Sequence, residues 1–494
     1  MRKLLKRTAY FIAGLIVIYL FLLIPDAEDR KSFVDSSKTV FAWNRDEQWL
    51  QMEDLFRRAK QMQTDELDSI VSSHKKTAEN ELSLLASRNI ISSSDSGWIN
   101  IENNFFVLAS LIAVQQEALP WFIDYYNRVR NLVKLQSQQW DINKTPVRDK
   151  LYTLLYGMRA ALEEVLLQSR DLKFAPAMQV KAEKTITASA SILGIEVHSG
   201  DLLVSRGGAE VSALISRGNN YPGNFSHVAL VYIDEKDNQP FLIEAHIEKG
   251  VAVSTVKQYE QDKKLRFMVM RPRADLPMMI ADPMLPQKAA QKMFDEAERQ
   301  HIPYDFKMNF FDSSAMFCSE VASYAYRSMG IQIWKYPSTI SSGGVINWLH
   351  DFGVENFVTQ MPSDLEYDPQ LSIVAEWRDP ETLFKDHIDN AAMDALLERA
   401  DKGETIGYNT WELPFVRVLK GYCLLKNLFG EVGIIPEGMS ATQALKNQSF
   451  VAMHVNVKNN TTGLAADFIK QNGYRPPYWQ LIKFAEAASA GNKN

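Results

Sequence analysis

Cysteine is nearly absent from this chain. Cys318 and Cys423 are the only two in 494 residues. Two cysteines cannot build a disulfide framework, and nothing in the sequence supports a bridge between them. There is no CxxC pair, and the eight histidines are scattered rather than set at zinc-ligand spacing. Positive charge is also short. The formal net charge is −6 and no Lys/Arg stripe occurs, so the electrostatic footprint of a nucleic-acid binder is missing. No internal repeat is visible. What remains is ordinary globular composition, with 46% hydrophobic and 23% charged residues, which excludes a disordered chain. The length suits about two to four domains.

One long apolar run stands out. "MRKLLKR" precedes "TAYFIAGLIVIYLFLLI" at residues 8–24, which is 17 residues without a charge, and "PDAEDRK" follows. The run sits at the short end of a membrane-spanning helix and is long for a signal-peptide core. "PDAED" is a poor cleavage site, so the run reads as an uncleaved anchor. No cysteine follows it, which argues against a lipoprotein. Arg2, Lys3, Lys6 and Arg7 place the N-terminus inside by the positive-inside rule. The expectation is a single-pass protein of the inner (cytoplasmic) membrane with the bulk of the chain periplasmic or extracytoplasmic.

The rest divides by texture. Residues 1–30 are the anchor, and 25–44 read as a polar linker. Residues 31–190 are expected to form a helical bundle or spacer. "DEQWLQMEDLFRRAKQM" spaces Trp49, Met52, Leu55, Phe56 and Met62 near a helical period, and "SSSDSG" at 92–97 breaks it. A second long helical stretch from Asn104 is expected to kink near Pro120. A third begins at Thr145–Pro146. From about 191 to 345 short strands take over: "GDLLVSRG", "FSHVALVYID", "QPFLIEAHI", "GVAVSTV" and "LRFMVMRP". Two helices follow, the second closed by Gly330. Strands followed by helices indicate an α+β domain. Residues 346–494 return to helices joined by long loops, a region placed to cap the α+β domain.

The chemistry centres on "SSAMFCSEVASYAYRSMG" at 313–330. A thiolate nucleophile needs a nearby base and a group that orients the base. With Ser313 or Ser314 as helix cap, Cys318 falls in about the first turn, where the helix's partial positive charge favours a thiolate. Free N–H groups there can also help hold an oxyanion. Cys423, inside the apolar "LKGYCLLKNL", reads as core. His227 opens the strand "SHVALVYI". If the hairpin is centred on Asp237, residue 227 faces 246 or 247, and Glu244 lies one diagonal away on a similar face. A slip of one residue would reverse this. His246, which shares the face of Glu244, is the competing partner. A structural carboxylate remains the plain alternative for Glu244.

At these residues the sequence resembles a known family. "GDLLVSRG", "NNYPGNFSHVALVY", "FLIEAHIEKGV", "PYDFKMNFFD" and "MFCSEVASYAY", in this order, look like the circularly permuted papain-like cysteine hydrolases of the NlpC superfamily, the YiiX/YebB-like group. The family pattern falls on Gly200 and Asp201, on Ser226, His227 and Val228, on Glu244, on Tyr304 and Asp305, and on Cys318, Ser319 and Glu320. The resemblance covers roughly residues 195–345. It implies an NlpC-like catalytic domain with antiparallel strands and a cysteine-bearing helix, flanked here by helical regions. It implies Cys318 as nucleophile, His227 as base then acid, and Glu244 as orienter. Ser226, Tyr304, Asp305 and His246 are supporting residues, with Tyr304 and Asp305 building the site rather than acting in it. The long insertion "GGAEVSALISRGNNYPGNF" departs from the pattern and is expected to shape substrate access. The implied reaction cleaves a peptide-type amide in the cell envelope through a thioester, without metal or organic cofactor. Two alternatives stand beside it. One is a lipid acyl hydrolase or acyltransferase with the same triad, suggested by Phe310, Phe311, Met316 and Phe317. The other is a non-catalytic envelope scaffold. The expected partners are the membrane and a peptide-like or lipid-linked substrate, with no nucleic acid.

Overall fold

The computed structural model describes residues 2–25, 45–169, 177–429 and 431–490. The stretch 26–44, read as a linker, lies outside them. The first helical region packs Arg45–Ala59, Thr64–Ala86, Ser96–Ile112, Leu119–Gln136 and the run from Thr145 to Gln168, which contains a π turn at Thr153–Gly157. The break at "SSSDSG" works through Asp95, whose carboxylate accepts from the Gly97 N–H at 2.9 Å and caps the next helix. Pro120 does not kink a continuous helix. The chain breaks after Ile112, and Pro120 sits in the first turn of Leu119–Gln136, where a missing N–H costs nothing.

The α+β region is built on a seven-stranded antiparallel sheet. Its strands are β1 (Ala177–Gln179), β2 (Leu202–Gly207), β3 (His227–Ile233), β4 (Pro240–His246), β5 (Gly250–Thr255), β6 (Lys264–Pro272) and β7 (Leu371–Trp377). Their spatial order is β1-β7-β6-β2-β3-β4-β5. β1 and β7 come from either side of the 191–345 interval. "LSIVAEW" joins the sheet because it pairs with β6, about a hundred residues upstream, and such distant pairing leaves no local signature. One face of the sheet is covered by helices Leu285–Arg299 and Cys318–Arg327. The other face carries Leu203, Ala229, Val231, Leu242 and Phe267 against Tyr259 and the small hairpin Ser189–Ile192/Ile195–His198. Apolar residues alternate between the two faces, as the pleat requires.

The helical region before the sheet is fused to it. A single apolar core runs from Trp49 through Phe105, Tyr126 and Leu162 to Leu202, Met268 and Val321. A buried ion cluster spans the same junction. Glu163 accepts from Arg159 at 2.7 Å and from Arg266 at 2.5 and 3.0 Å, and its Oε2 lies 3.0 Å from His387 Nε2. Arg159 also grips Glu366 through two bonds of 2.7 and 2.9 Å, and Arg266 reaches Asp386 at 2.7 Å. Burial opposes ionisation of Glu163, but the two guanidinium groups outweigh it and hold the carboxylate well below the usual range.

The C-terminal region consists mainly of helices Pro380–Asp401, Leu413–Leu428, Ala441–Asn472 and Tyr478–Ala490. The first of these packs on β6 and on a helix within the insertion, Glu210–Arg217. Cys423 is buried beside Ile435 and Met439, and both cysteines are free thiols. The apolar run 8–24 lies largely on helix Arg2–Leu22. Tyr10, Phe11, Ile16, Val17 and Phe21 are exposed on it. Among the described residues, no helix is long and apolar enough to cross a membrane.

Candidate active site

The β3–β4 hairpin sets the base. Ala229 pairs with Glu244 and Ile233 with Pro240, so His227 falls opposite His246 and Glu244 lies on the diagonal. The His227 Nε2 is 2.7 Å from Glu244 Oε2, and His246 Nε2 is 3.2 Å from Glu244 Oε1. The two imidazole centroids are 5.8 Å apart. Glu244 therefore holds both rings, one on each oxygen. Burial disfavours its charge, but the two histidines more than compensate and depress its pKa strongly. With Nε2 turned to Glu244, Nδ1 of His227 is the nitrogen left for the thiol. Burial opposes protonation of this ring, yet hydrogen bonds to Cys318 and Glu244 push it up to about 9.

The cysteine arrives from the opposite side. Helix Cys318–Arg327 packs across β3 and β4. It starts at Cys318 itself, with Phe317 at the cap, rather than at Ser313 or Ser314. The Glu320 carboxyl accepts from the Phe317 N–H at 2.9 Å and closes the turn. Burial pushes Glu320 up to about 9 despite that bond, so it is a neutral acid in the neutral range. Ser313 and Ser314, the cap candidates in the sequence, lie ahead of the helix start. A side chain three residues into the helix took over their role, and the Cys-Ser-Glu spacing carried that signal. Cys318 is 4% exposed, and its Sγ lies 3.6 Å from the Ser226 carbonyl oxygen.

Cys318 and His227 open onto a cavity of about 370 Å³. Tyr304, His246, Ser226 and Ser205 line it, and so do Lys263 and Lys264 from the start of β6. Ala209, Ser212 and Ile215 form another wall, so the insertion does border the substrate space. Tyr304 bridges to Met316. Burial and the neighbouring Cys318 hold its phenol well above the usual range, so it stays a neutral hydroxyl. Asp305 accepts from the Lys307 and Asn309 N–H groups at 2.8 and 2.5 Å and shapes the loop before the cysteine helix. Gly200 adopts φ +92, and an added Cβ would strike Pro286 at 2.3 Å. Asp201 binds Arg271 through two 2.7 Å bonds. Both positions hold the start of β2 rather than the cavity. Phe310, Met316 and Phe317 are buried, and Phe311 is exposed. None of these four lines the cavity. The lysine pair and Glu248, which also lines the cavity, escaped sequence reading, because only the folded hairpins bring these turns to one rim. Among the described residues, no group of three His, Cys, Asp or Glu is placed to hold a metal ion.

An antiparallel sheet whose histidine strand precedes a cysteine-led helix is a permuted papain-like fold, the class of amidases and peptidases. Residues 196–375 match the family model described as permuted papain-like amidase enzyme, YaeF/YiiX, C92 family (Peptidase_C92). That segment is a little over a third of the chain and reaches β7 at its far end. No curated protein and no solved structure matches the chain.

The electrostatics predict a pH profile. His227, with its folded-state pKa raised to about 9, stabilises the fold fully below the ordinary imidazole value of about 6.5. That contribution is lost as pH rises through about 9. Loss of kcat/KM is expected over the same alkaline range. In Glu244→Gln one of the interactions raising His227 disappears, so the alkaline limb should move to lower pH and the rate should fall by about 10²–10⁴. An unmoved limb would show that Glu244 does not act on the imidazole.

Proposed function

We propose that this chain is a membrane-anchored cysteine hydrolase that cleaves a peptide-type amide in the cell envelope. The observation that carries the reading is the position of His227, whose Nε2 lies 2.7 Å from Glu244 Oε2 and which lines one cavity together with Cys318. The Cys318 sulfur attacks the carbonyl carbon. Of the first-turn N–H groups of its helix, that of Glu320 goes to the Phe317 carbonyl oxygen at 3.0 Å, and to those of Cys318 and Ser319 we assign the developing oxyanion. As the C–N bond breaks, His227 gives its proton to the leaving amine, and a thioester remains. Water then attacks the thioester carbon while His227 takes its proton. The carboxylic acid departs, and the sulfur and imidazolium are restored. Glu244 keeps the ring oriented and favours its charged form throughout.

Anchoring rests on the basic cluster ahead of residues 8–24 and on the apolar side chains exposed along helix Arg2–Leu22. A 17-residue run is short, and Lys6 and Arg7, both exposed, extend it by snorkelling. The N-terminus then stays inside and the hydrolase domain lies outside. Mass spectrometry of cell-wall fragments released by wild-type and Cys318→Ala protein tests the substrate class. Fragments absent from the variant are expected, and identical profiles overturn the wall substrate. A lipid acyl substrate is the second reading, favoured by the apolar exposure of the N-terminal helix. Fatty acid released from phospholipid vesicles by the wild type alone would select it.

A further inference from the structure

Helix Leu413–Leu428 carries its apolar stripe on the outside. Phe415, Val418, Tyr422, Leu425 and, just past its end, Phe429 recur at three- and four-residue spacing, and all are more than half exposed, Phe429 at 84%. The buried side is narrower, with Leu413 and Cys423 fully covered. This inverts the usual arrangement, in which the apolar stripe faces the core. The helix also contains Arg417, Lys420 and Lys426 and no acidic residue. Lys420 turns inward to the Pro436 and Glu437 carbonyl oxygens at 2.6 and 2.7 Å.

The outer stripe is continuous with the N-terminal apolar helix. The Tyr19 hydroxyl donates to the Trp411 carbonyl oxygen at 3.0 Å, and its ring meets Phe415 edge-on at 6.1 Å. Arg417 donates to the Leu22 carbonyl oxygen at 3.0 Å. These contacts all fall at the C-terminal end of helix Arg2–Leu22. If that helix enters the bilayer with its N-terminus inside, its last turn marks the outer headgroup level. The start of Leu413–Leu428 is pinned to that level, with its exposed apolar stripe toward the acyl boundary.

We infer that Leu413–Leu428 lies in the outer membrane–water interface as a second lipid contact and holds the cavity at the bilayer surface. The inference rests on the anchoring proposed above. The link to the cavity is short. Beneath the helix, Cys423, Ile435 and Met439 pack against Phe306. The Phe306 ring meets Tyr304 at 5.1 Å, and Tyr304 lines the cavity with Cys318. Two aromatic rings thus separate the lipid-facing layer from the nucleophile's cavity, a placement suited to substrates presented at a membrane surface.

The test uses the full chain in phosphatidylcholine/phosphatidylglycerol vesicles. In a Cys318→Ala/Cys423→Ala background, Val418→Cys or Leu425→Cys is labelled with an environment-sensitive fluorophore, and Lys470→Cys serves as an aqueous reference. Spin-labelled lipid should quench the 418 and 425 labels and leave the 470 label bright, while aqueous iodide should do the reverse. Vesicle flotation of the same samples separates the two readings. Floating protein whose 418 and 425 labels respond only to iodide overturns this inference and leaves the anchor intact. Labels shielded from both quenchers in a two-chain assembly assign the stripe to a second copy and also overturn it. Protein that does not float overturns the anchor and this inference together.

Discussion

Cys318→Ala is expected to lower the hydrolytic rate by at least about four orders of magnitude while the fold persists. The reason is chemical. Without the sulfur there is no acyl-enzyme, and what remains is binding and whatever oxyanion stabilisation the helix start provides. Cys318 is small and stands at the first position of its helix, whose cap is held by Glu320 and whose packing is carried by Val321, Ala322, Ala325 and Tyr326. Truncation to alanine therefore costs stability of only about 1 kcal/mol. Thermal unfolding and turnover measured on one sample separate the two effects. A variant that keeps a tenth of the wild-type rate would remove Cys318 from the mechanism. A thiol-directed probe gives a second view: labelling of Cys318 near neutral pH should fall sharply in His227→Ala, because the reading assigns His227 as the base that activates this sulfur.

Glu163→Ala is expected to destabilise the chain by about 3–5 kcal/mol, without a matching loss of turnover per folded molecule. Glu163 is the shared acceptor of Arg159, from the helical region, and Arg266, from β6, and it faces His387 from the C-terminal region. Deleting its carboxylate leaves Arg159 and Arg266 with one buried carboxylate each, Glu366 and Asp386, instead of two. The remaining acceptors, Glu366 and Asp386, are already engaged. The denaturant midpoint reports the loss. The pH dependence has a definite sign. Glu163 is held well below its ordinary value, so its contribution is complete above the unfolded carboxylate range near 4.3. It is lost as pH falls through the depressed folded value. Wild type should therefore lose stability on acidification more steeply than Glu163→Ala. Equal midpoints for the two proteins would show that the cluster does not fasten the three regions.

The sequence alone determined the local pieces of this protein. Alternation in "SHVALVYI" and "FLIEAH", with the turn "DEKDN" between them, brought Glu244 near His227 within one residue of register, and the folded pairing of Ala229 with Glu244 chose the diagonal. The same local logic placed the helix ending at Gly330 and kept Cys423 in the core. Tertiary structure alone decided the rest. It chose Glu320 over Ser313 or Ser314 to close the start of the cysteine helix, because a buried N–H takes whichever acceptor the packing delivers. It brought β1 and β7 to the sheet, joined Trp49 to the core of the hydrolase domain, and gathered Glu163, Arg266 and Asp386 into one cluster. It also turned the apolar stripe of Leu413–Leu428 outward. A helical period shows that a stripe exists, but which side meets protein depends on contacts with residues hundreds of positions away.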